Sequence, residues 1–258
     1  MPNRKRWKGK WIMATKNVTL YKYIPLKHAA TIIREGRIRM SDGKNFNDPF
    51  ELLVVDKRTQ NSRFVEDVRI LCLTNSFRNK LMWAHYADGH QGICLAVSVP
   101  NELTFPICYT KTRLCSSTNI SALLSGNKKV GKRNISKSFD NLSYEQKVAL
   151  IKGKSWAYEK EYRITCTTVQ DDYLAEDGYY YFPVKVVRVY LGCRFGKNSQ
   201  EKQEELFHEC EKKNIEIKQI SLSNTAYALL VSNLVNGKFG DKKDETKCTK
   251  ESEAVAPL

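Results

Sequence analysis

Several features are scarce or missing in this 258-residue chain, and each of them excludes a class of protein. No uninterrupted apolar stretch approaches the roughly 20 residues that a membrane-spanning helix needs. The basic start, Met1 to Lys10, does not lead into an apolar segment, so we expect no secretory signal. No fixed period or internal repeat runs through the sequence, which excludes collagen-like and coiled-coil proteins. We therefore expect a soluble, cytoplasmic protein.

The sequence also offers little for metal or disulfide chemistry. Its eight cysteines include no Cys-x-x-Cys pair, and in a reducing compartment we expect free thiols. His85 and His90 are five residues apart, which does not place both on one helical face as a zinc-binding helix requires. A nucleophile pair of Cys94 and His90 has no stronger support. We predict no metal site.

The composition favours a folded and strongly basic protein. Hydrophobic residues make up 41% of the chain and aromatic residues 10%, which excludes a wholly disordered chain. The chain has 43 Lys and Arg against 28 Asp and Glu, and the resulting net charge of +15 favours polyanionic partners. Between Leu103 and Phe139 there is no acidic residue, while cations accumulate. This distribution indicates contact with nucleic acid, and the alternative is a solvated surface with a mobile basic loop.

The order of short strands and helices predicts an α+β fold with a central mixed or antiparallel sheet and flanking helices. We predict strands over 19–24, 37–40, 70–74, 92–99, 158–167, 184–191 and 215–222, and helices over 26–35, 81–88, 142–151 and 198–211. One domain over 19–235 is expected, with a basic extension (1–18), a mobile basic insertion (116–137) and a disordered tail (236–258).

Three segments hold more polar chemistry than packing requires. The first is Phe46-Asn47-Asp48-Pro49-Phe50-Glu51, where two aromatic residues flank an amide and a carboxylate. This composition is typical of an ordinary Asx turn and also of a ring-binding loop. The second runs from Trp83 to Gly92, ahead of the central strand. Trp83 and Tyr86 share a helical face, which either packs in the core or lets His85 and Tyr86 offer an imidazole and an aromatic ring to a ligand.

The third segment is Trp156-Ala157-Tyr158-Glu159-Lys160-Glu161-Tyr162-Arg163. On a strand, Glu159, Glu161 and Arg163 share one face. Two carboxylates and a guanidinium there form either a solvated, ion-paired stripe or a site in a cleft. In a cleft, the like charges raise the pKa of one carboxyl group while Arg163 keeps the other ionised.

Together these segments resemble a widespread bacterial family of uncharacterised domains. The matching elements occur in the family's order, from about Leu20 to Leu222. They are Leu20-Tyr21-Lys22-Tyr23, Phe46 through Glu51, Met82 through Asp88, Gly92-Ile93-Cys94, Trp156 through Arg163, and Val189-Tyr190-Leu191-Gly192. The resemblance implies a setting in abortive infection and phage defence.

The chain also resembles the ADP-ribosyltransferase superfamily, and this second resemblance implies a chemistry. It depends on a first strand that ends in an aromatic residue, a helix closing with Glu35-Gly36-Arg37-Ile38, and a late Glu-x-Glu. It implies NAD as the ADP-ribose donor and an oxocarbenium-like state on cleavage of the nicotinamide–ribose bond. The superfamily's Ser-Thr-Ser motif is absent, although Ser98 ends the central strand, and no His-Gly or Arg-Gly stands on the first strand.

The superfamily resemblance implies a role for each candidate residue. Glu161 is the expected catalytic carboxylate, Glu159 is its partner, and Arg163 orients a carboxylate or meets a phosphate. The expected cofactor-binding residues are Tyr21 or Tyr23, Asn47, Asp48 and Phe50, with His85 and Tyr86 as further candidates.

Three functions follow as expectations. The leading one is an NAD-dependent ADP-ribosyltransferase toxin that modifies nucleic acid, with RNA favoured over DNA because of the charge. The second is a ribonuclease toxin, metal-independent or Mg-dependent, that uses His85, Glu161 and Arg163. The third is a non-catalytic nucleic-acid-binding module of a defence operon. For a toxin, the basic surface also predicts an acidic antitoxin protein as partner.

Overall fold

The computed structural model describes residues 16–126, 129–130, 133–134, 139–169, 173–175, 177–197 and 199–233. The predicted tail (236–258) and nearly all of the predicted basic extension (1–18) lie outside these residues. None of the helices in the described part is long and apolar enough to cross a bilayer.

Sixteen strands lie in the described part of the chain, and many of them are short. In chain order they are β1 (Asn17–Ile24), β2 (Arg37–Arg39), β3 (Leu53–Val55), β4 (Ser62–Phe64), β5 (Val68–Thr74), β6 (Ile93–Pro100), β7 (Phe105–Pro106), β8 (Cys108–Thr110), β9 (Lys129–Val130), β10 (Arg133–Asn134), β11 (Ile151–Gly153), β12 (Glu161–Thr167), β13 (Tyr181–Pro183), β14 (Lys185–Leu191), β15 (Glu216–Leu222) and β16 (Leu229–Asn233).

The helices are mostly of two turns or fewer. The α-helices are α1 (Ala29–Glu35), α2 (Lys80–Tyr86), α3 (Ile120–Gly126), α4 (Tyr144–Val148) and α5 (Gln200–Lys212). Short 3-10 helices span Leu26–His28, Asn101–Leu103, Lys154–Glu159 and Phe195–Lys197. Glycine ends α1 as its pattern predicts, because Gly36 takes the left-handed conformation (φ 68°) that glycine adopts without steric cost.

Eight strands form one large sheet in the order β16-β15-β14-β6-β1-β5-β12-β7. All neighbours are antiparallel except β14 and β15, which are parallel and are joined by the crossover helix α5. β6 is buried over most of its length, as its nearly continuous apolar sequence predicts for a central strand. The predicted α+β class with a mixed, largely antiparallel sheet is therefore confirmed.

The two faces of the sheet carry different layers. Leu20 and Leu95 point to the face covered by α1 and α5, where they pack with Ile33 and Leu206. The opposite face carries two separate apolar clusters, one around Trp83 of α2 and one built with α3 and α4. Alternation along β1 and β5 produces this division, since successive side chains of a strand point to opposite faces. The gap between the two clusters is where the charged side chains of β12 lie.

Two predicted elements are wrong in extent. The helix expected over 142–151 is only α4, which begins with a capping box between Ser143 and Gln146, and the chain then enters β11. The strand expected over 158–167 begins at Glu161, because the preceding residues form the 3-10 helix Lys154–Glu159.

Part of the predicted mobile insertion has defined structure. Within 116–137, the helix α3 packs Ile120 and Leu124 into an apolar cluster with Leu150. The apolar residues of α3 therefore anchor the start of the insertion. Its basic residues Lys128, Lys132 and Lys137 lie outside the described residues.

Candidate functional site

The site begins with a row of side chains across three adjacent strands. Tyr21 of β1 lies opposite Thr74 of β5, which in turn lies opposite Glu161 of β12. Residues directly opposite each other on neighbouring strands project from the same face. Arg163, two positions further along β12, lies opposite Cys72 and projects from that face as well. The sheet therefore places Glu161 and Arg163 together, as the sequence predicted.

Glu159 reaches the same place by a different route from the one expected. It ends the 3-10 helix, and Lys160 then takes a left-handed conformation (φ 46°) before β12 begins. The Thr74 hydroxyl donates a hydrogen bond to the Glu159 backbone oxygen at 2.6 Å and anchors this turn to the sheet. The three charged side chains are almost completely buried, so the alternative of a solvated, ion-paired stripe is wrong.

The Phe46–Glu51 loop contributes a third carboxyl group. Asp48 shapes this loop as an Asx turn, because its Oδ1 accepts a hydrogen bond from the backbone N–H of Phe50 at 3.0 Å. The next residues turn inward, and buried Leu52 has a positive φ of 61°. A leucine in this region of φ/ψ space is strained, and such strain persists only where the surroundings enforce it. Glu51 is thereby held inside the protein, at 5% exposure.

Lys152 and Arg163 connect the three carboxyl groups. The Nζ atom of Lys152 lies 2.6 Å from Oε2 of Glu159, 3.2 Å from Oε2 of Glu161 and 3.5 Å from Oε2 of Glu51. Arg163 donates from Nε to Oε1 of Glu161 at 2.8 Å and from Nη2 to Oε2 of the same carboxylate at 3.0 Å.

The remaining donors of Arg163 tie β12 to its surroundings. Its Nη1 donates to the backbone oxygen of Ala149 at 2.7 Å, and its Nη2 also donates to Glu51. Arg163 is fully buried, so these partners replace the water that a guanidinium ion otherwise requires.

The cluster has one carboxyl group more than it has cations. Three carboxyl groups (Glu51, Glu159 and Glu161) face two cations, so full ionisation leaves a net charge of −1 in a buried place. The cations already lie between the carboxyl groups, and no group of three or more His, Cys, Asp or Glu in the described part is arranged to hold a metal ion. The cluster is suited to stabilising positive charge.

The pKa values of two carboxyl groups are displaced in opposite directions. Burial opposes the ionisation of Glu161, but Arg163 and Lys152 outweigh it and lower its pKa to about 2. For Glu51, burial dominates over the same two cations and raises its pKa above the usual value. The sequence predicted such a separation, but the carboxyl group with the raised pKa is Glu51.

Glu51 is also the less completely bonded carboxyl group. Its Oε2 is buried and forms an ion pair with Lys152 at 3.5 Å, but it accepts no hydrogen bond. A buried carboxylate oxygen without a hydrogen-bond donor favours the protonated form, in agreement with the direction of the pKa shift. Glu51 is therefore the group in the cluster best suited to exchange a proton.

Two cavities adjoin the cluster, and Glu51 and Lys152 line both. The first, the inner cavity, has a volume of about 140 Å³. Its walls include Tyr21, Tyr23, Phe46, Asn47, Met82, Tyr86, Glu51, Thr74, Lys152, Glu159, Glu161 and Arg163. The second, the outer cleft, has a volume of about 520 Å³ and is formed by 48–53, 110–114 and 151–156. The pair Glu51–Lys152 thus forms part of the wall of each.

The inner cavity collects most of the residues predicted to bind NAD. Tyr23 is fixed there by a 2.9 Å hydrogen bond from its hydroxyl to the Ser76 backbone oxygen, and Tyr21 packs beside it against Phe77. Tyr86 donates from its hydroxyl to Oε1 of Glu159 at 2.6 Å. Asn47 is also part of this wall.

Three predicted residues are elsewhere. Asp48 and Phe50 face the outer cleft, where Phe50 is 60% exposed. His85 is exposed on α2, with its ring centroid 6.3 Å from those of Tyr86 and Tyr158, and it lines neither cavity. The geometry therefore does not bring His85 together with Glu161 and Arg163.

The sequence predicted no role for Glu51 or Lys152. Glu51 is only the last residue of the Phe46–Glu51 segment. Lys152 follows the apolar run Val148-Ala149-Leu150-Ile151, and a single lysine next to a buried run is a detectable signal, because lysine is almost never fully buried without a partner. Its carboxylate partners, in contrast, were not identifiable from local sequence.

This arrangement defines an α+β protein with a buried, charged site beside two cavities. A family model described as "Protein of unknown function (DUF2971)" matches residues 82–164. The matched segment includes Tyr86, Lys152, Glu159, Glu161 and Arg163, so the chain is similar to that family across much of the site. The match agrees with the expected resemblance to a family of uncharacterised domains. No curated protein and no solved structure matches the chain.

Proposed function

We propose that the protein is an NAD-dependent ADP-ribosyltransferase whose acceptor is nucleic acid. The observation that supports this proposal best is the buried cluster of three carboxyl groups and two cations, in which the pKa values of Glu51 and Glu161 are displaced in opposite directions. Carboxyl groups whose pKa values are separated by their surroundings are candidates for different roles in acid–base catalysis. Glu161 serves here as the permanent anion and Glu51 as the proton-exchanging group.

Glu161 stabilises the positive charge that develops at ribose C1′ as the bond to nicotinamide breaks. The electron pair of that bond leaves with nicotinamide, and the ribose passes through an oxocarbenium-like state. An anion that is already in place and screened from water stabilises such a charge without reorganisation. Since its pKa is about 2, Glu161 is ionised throughout the neutral range.

Glu51 accepts the proton that the nucleophile of the acceptor loses as it bonds to C1′. A carboxylate with a raised pKa is a stronger base than an ordinary one, which suits this role. Glu51 also lines both cavities, so a donor in the inner cavity and an acceptor in the outer cleft meet at the same carboxyl group.

The residues around the inner cavity fit one end of NAD. At about 140 Å³ it is smaller than the roughly 300–1,000 Å³ typical of sites that enclose a whole ligand, so it fits a ring and not a complete dinucleotide. Tyr21, Tyr23, Phe46 and Tyr86 supply aromatic surface to pack against such a ring. The positive charge of the nicotinamide ring is attracted by the carboxylates of Glu159 and Glu161, which line the same cavity.

The experiment measures release of nicotinamide and transfer of label from radiolabelled NAD to RNA, DNA or protein. The informative variant is Glu51→Gln, because a glutamine matches the neutral form of this carboxyl group and Glu161 stays in place to hold Arg163. We expect a loss of about 10²–10⁴ in the transfer rate, the usual contribution of a general base. Glu66→Gln, at an exposed position, is the matched control and should transfer normally.

The same assay separates the alternatives. Fragmentation of RNA without NAD supports the ribonuclease instead, although His85 lines neither cavity beside the cluster, so the geometry does not favour that function. Absence of both nicotinamide release and label transfer, from protein shown to be folded, contradicts the transferase and leaves the binding module. In that case salt-sensitive binding to nucleic acid persists in Glu51→Gln.

The proposal extends to the biological setting implied by the family resemblance. A toxin of this kind in phage defence needs an inhibitor, and the +15 charge favours an acidic antitoxin. Co-expression with the products of neighbouring genes tests this: a stable complex that suppresses NAD turnover supports it. Full activity and toxicity in the presence of every such product contradicts it.

A further inference from the structure

The outer cleft has an unusual distribution of charge. Its exposed charged side chains are all cations: Lys111, Arg113 and Lys154. The two acidic residues of its lining, Asp48 and Glu51, are buried, as is Lys152, which is already paired with carboxylates. A ligand in the cleft therefore meets a positive rim.

The fold itself brings two of these cations together. Strands β8 and β11 are parallel, with Thr110 opposite Gly153 at the ends of both strands. Lys111 and Lys154 are the next residues in each case, so they leave the strand pair side by side at the same edge. Arg113 is positioned from the other side by a 3.1 Å hydrogen bond from its Nη2 to the Ser62 hydroxyl oxygen.

The cleft also contains aromatic rings that remain accessible to a ligand. The ring of Phe50 is 60% exposed, and the guanidinium carbon of Arg113 lies 5.1 Å from its centroid. Trp156 is half-buried, with Nζ of Lys152 5.0 Å from its ring centroid. Large exposed aromatic rings beside cations are the combination with which proteins bind unpaired bases and their phosphates.

We infer that the outer cleft binds a segment of single-stranded nucleic acid. The backbone phosphates lie along Lys111, Arg113 and Lys154, and a base stacks on Phe50 or Trp156. Because these rings line a concave cleft, only a base that is unpaired and turned out of a helix reaches them. The inference rests on the proposed function in one respect, namely that the bound strand is the acceptor, placed next to Glu51.

Binding is measured by fluorescence anisotropy with a short labelled oligouridine and the matching oligodeoxythymidine, at several salt concentrations. The test protein carries Lys111→Gln, Arg113→Gln and Lys154→Gln together. The control carries Lys27→Gln, Lys202→Gln and Lys212→Gln, which remove the same charge from exposed positions outside the cleft. Phe50→Ala tests stacking separately, and because the ring of Phe50 is exposed, its removal leaves no cavity in the core.

On a single strand, each phosphate contact contributes about 0.7 to the steepness of the plot of log K against log salt concentration. The cleft triple variant removes three such contacts, so we expect the magnitude of its slope to be smaller than that of wild type by about two. The control triple should retain the wild-type slope. Phe50→Ala should weaken binding roughly ten-fold or more, the loss of one stacked base. Tighter binding of either oligonucleotide identifies RNA or DNA as the source of the strand.

Two outcomes overturn the inference. Equal slopes and affinities for the two triple variants mean that the cleft cations do not contact the strand. A reduced slope with unchanged binding by Phe50→Ala and by Trp156→Leu means that no base enters the cleft. Nicotinamide release and label transfer from NAD are measured in parallel with nucleic acid present. If both are absent while the cleft still binds the oligonucleotide, the proposed function is contradicted and the binding result stands; if both are present without binding in the cleft, the inference is contradicted and the proposed function stands.

Discussion

The hydroxyl group of Tyr86 donates a 2.6 Å hydrogen bond to Oε1 of Glu159, and this bond joins α2 to the end of the 3-10 helix that precedes β12. The other oxygen of the same carboxylate faces Lys152 at 2.6 Å. Burial and this bond together raise the pKa of Tyr86, so the hydroxyl keeps its proton and remains a donor. Glu159 is thus held from two sides, and its position relative to Glu161 is fixed.

Replacing Tyr86 by phenylalanine should therefore loosen the site. Because the bond is to a carboxylate group, we expect the free energy of unfolding to fall by about 1–3 kcal/mol, with a simultaneous loss of label transfer. Urea denaturation followed by circular dichroism measures the stability. Tyr144→Phe, on a half-exposed ring of α4, is the control and should change it by less than about 0.5 kcal/mol. Equal stability of the two variants contradicts the importance of this bond.

The two displaced carboxyl groups predict opposite dependences of stability on pH. The pKa of Glu161 is about 2 in the folded protein and about 4.3 in an unfolded chain, so its contribution is present above pH ~4.3 and is lost as the pH falls toward ~2. Glu51 has a raised pKa, so its contribution is present below its unfolded value and is lost as the pH rises through the folded one.

The variants test these signs directly. Glu161→Gln should be about 3–5 kcal/mol less stable than wild type near neutral pH, because it leaves buried cations without a partner, and that difference should shrink in acid. Glu51→Gln should gain stability relative to wild type as the pH rises. Unfolding free energies from denaturant titrations, from about pH 2 (the folded pKa of Glu161) to above neutral pH, measure both. A parallel pH dependence of the two variants contradicts the assignment.

Lys160 should tolerate glycine better than a β-branched residue. Its left-handed conformation (φ 46°) costs roughly 1–2 kcal/mol for an L-residue, which offsets the greater freedom of glycine in the unfolded chain. We expect Lys160→Gly to be neutral or up to about 1 kcal/mol more stable, and Lys160→Val to be less stable by about 1–2 kcal/mol.

A strand position provides the comparison for this turn. Lys185→Gly, at an exposed position of β14, should cost about 0.5–1 kcal/mol, because glycine there has no steric advantage. Midpoints of urea unfolding measure all three variants. Destabilisation of Lys160→Gly by as much as Lys185→Gly shows that the left-handed turn carries no strain.

The larger features of the fold were predictable because they depend on local patterns. Alternation and apolar runs predicted β1, β5, β6, β14 and β15, and glycine predicted the end of α1. The strand β7 has only two residues and therefore no detectable period, and the edge strand β16 was not predicted either. The turn at Lys160 was not predictable either. Its left-handed backbone conformation is held by tertiary contacts, and the sequence there has neither glycine nor asparagine, the residues that usually indicate such a turn.

The sequence predicted several residues of the site but not the contacts between them. Local spacing placed Glu161 and Arg163 on one face, and three separate motifs were expected to contribute. The partnership of Lys152 with Glu51 joins residues 101 positions apart, and no local pattern specifies such a contact. The burial that displaces the pKa of Glu51 is likewise a property of the assembled protein.

The wall shared by the two cavities has a thermodynamic consequence. Because Glu51 and Lys152 contribute to both, a ligand in either cavity changes the field that a ligand in the other experiences. A polyanion in the outer cleft adds negative charge beside the buried pair of Glu51 and Lys152, and so favours the protonated form of Glu51. Binding free energies are reciprocal: if a ligand in the outer cleft changes the affinity of the inner cavity by some factor, a ligand in the inner cavity changes the affinity of the outer cleft by the same factor. Affinities measured for the two cavities one at a time will therefore not combine by simple multiplication.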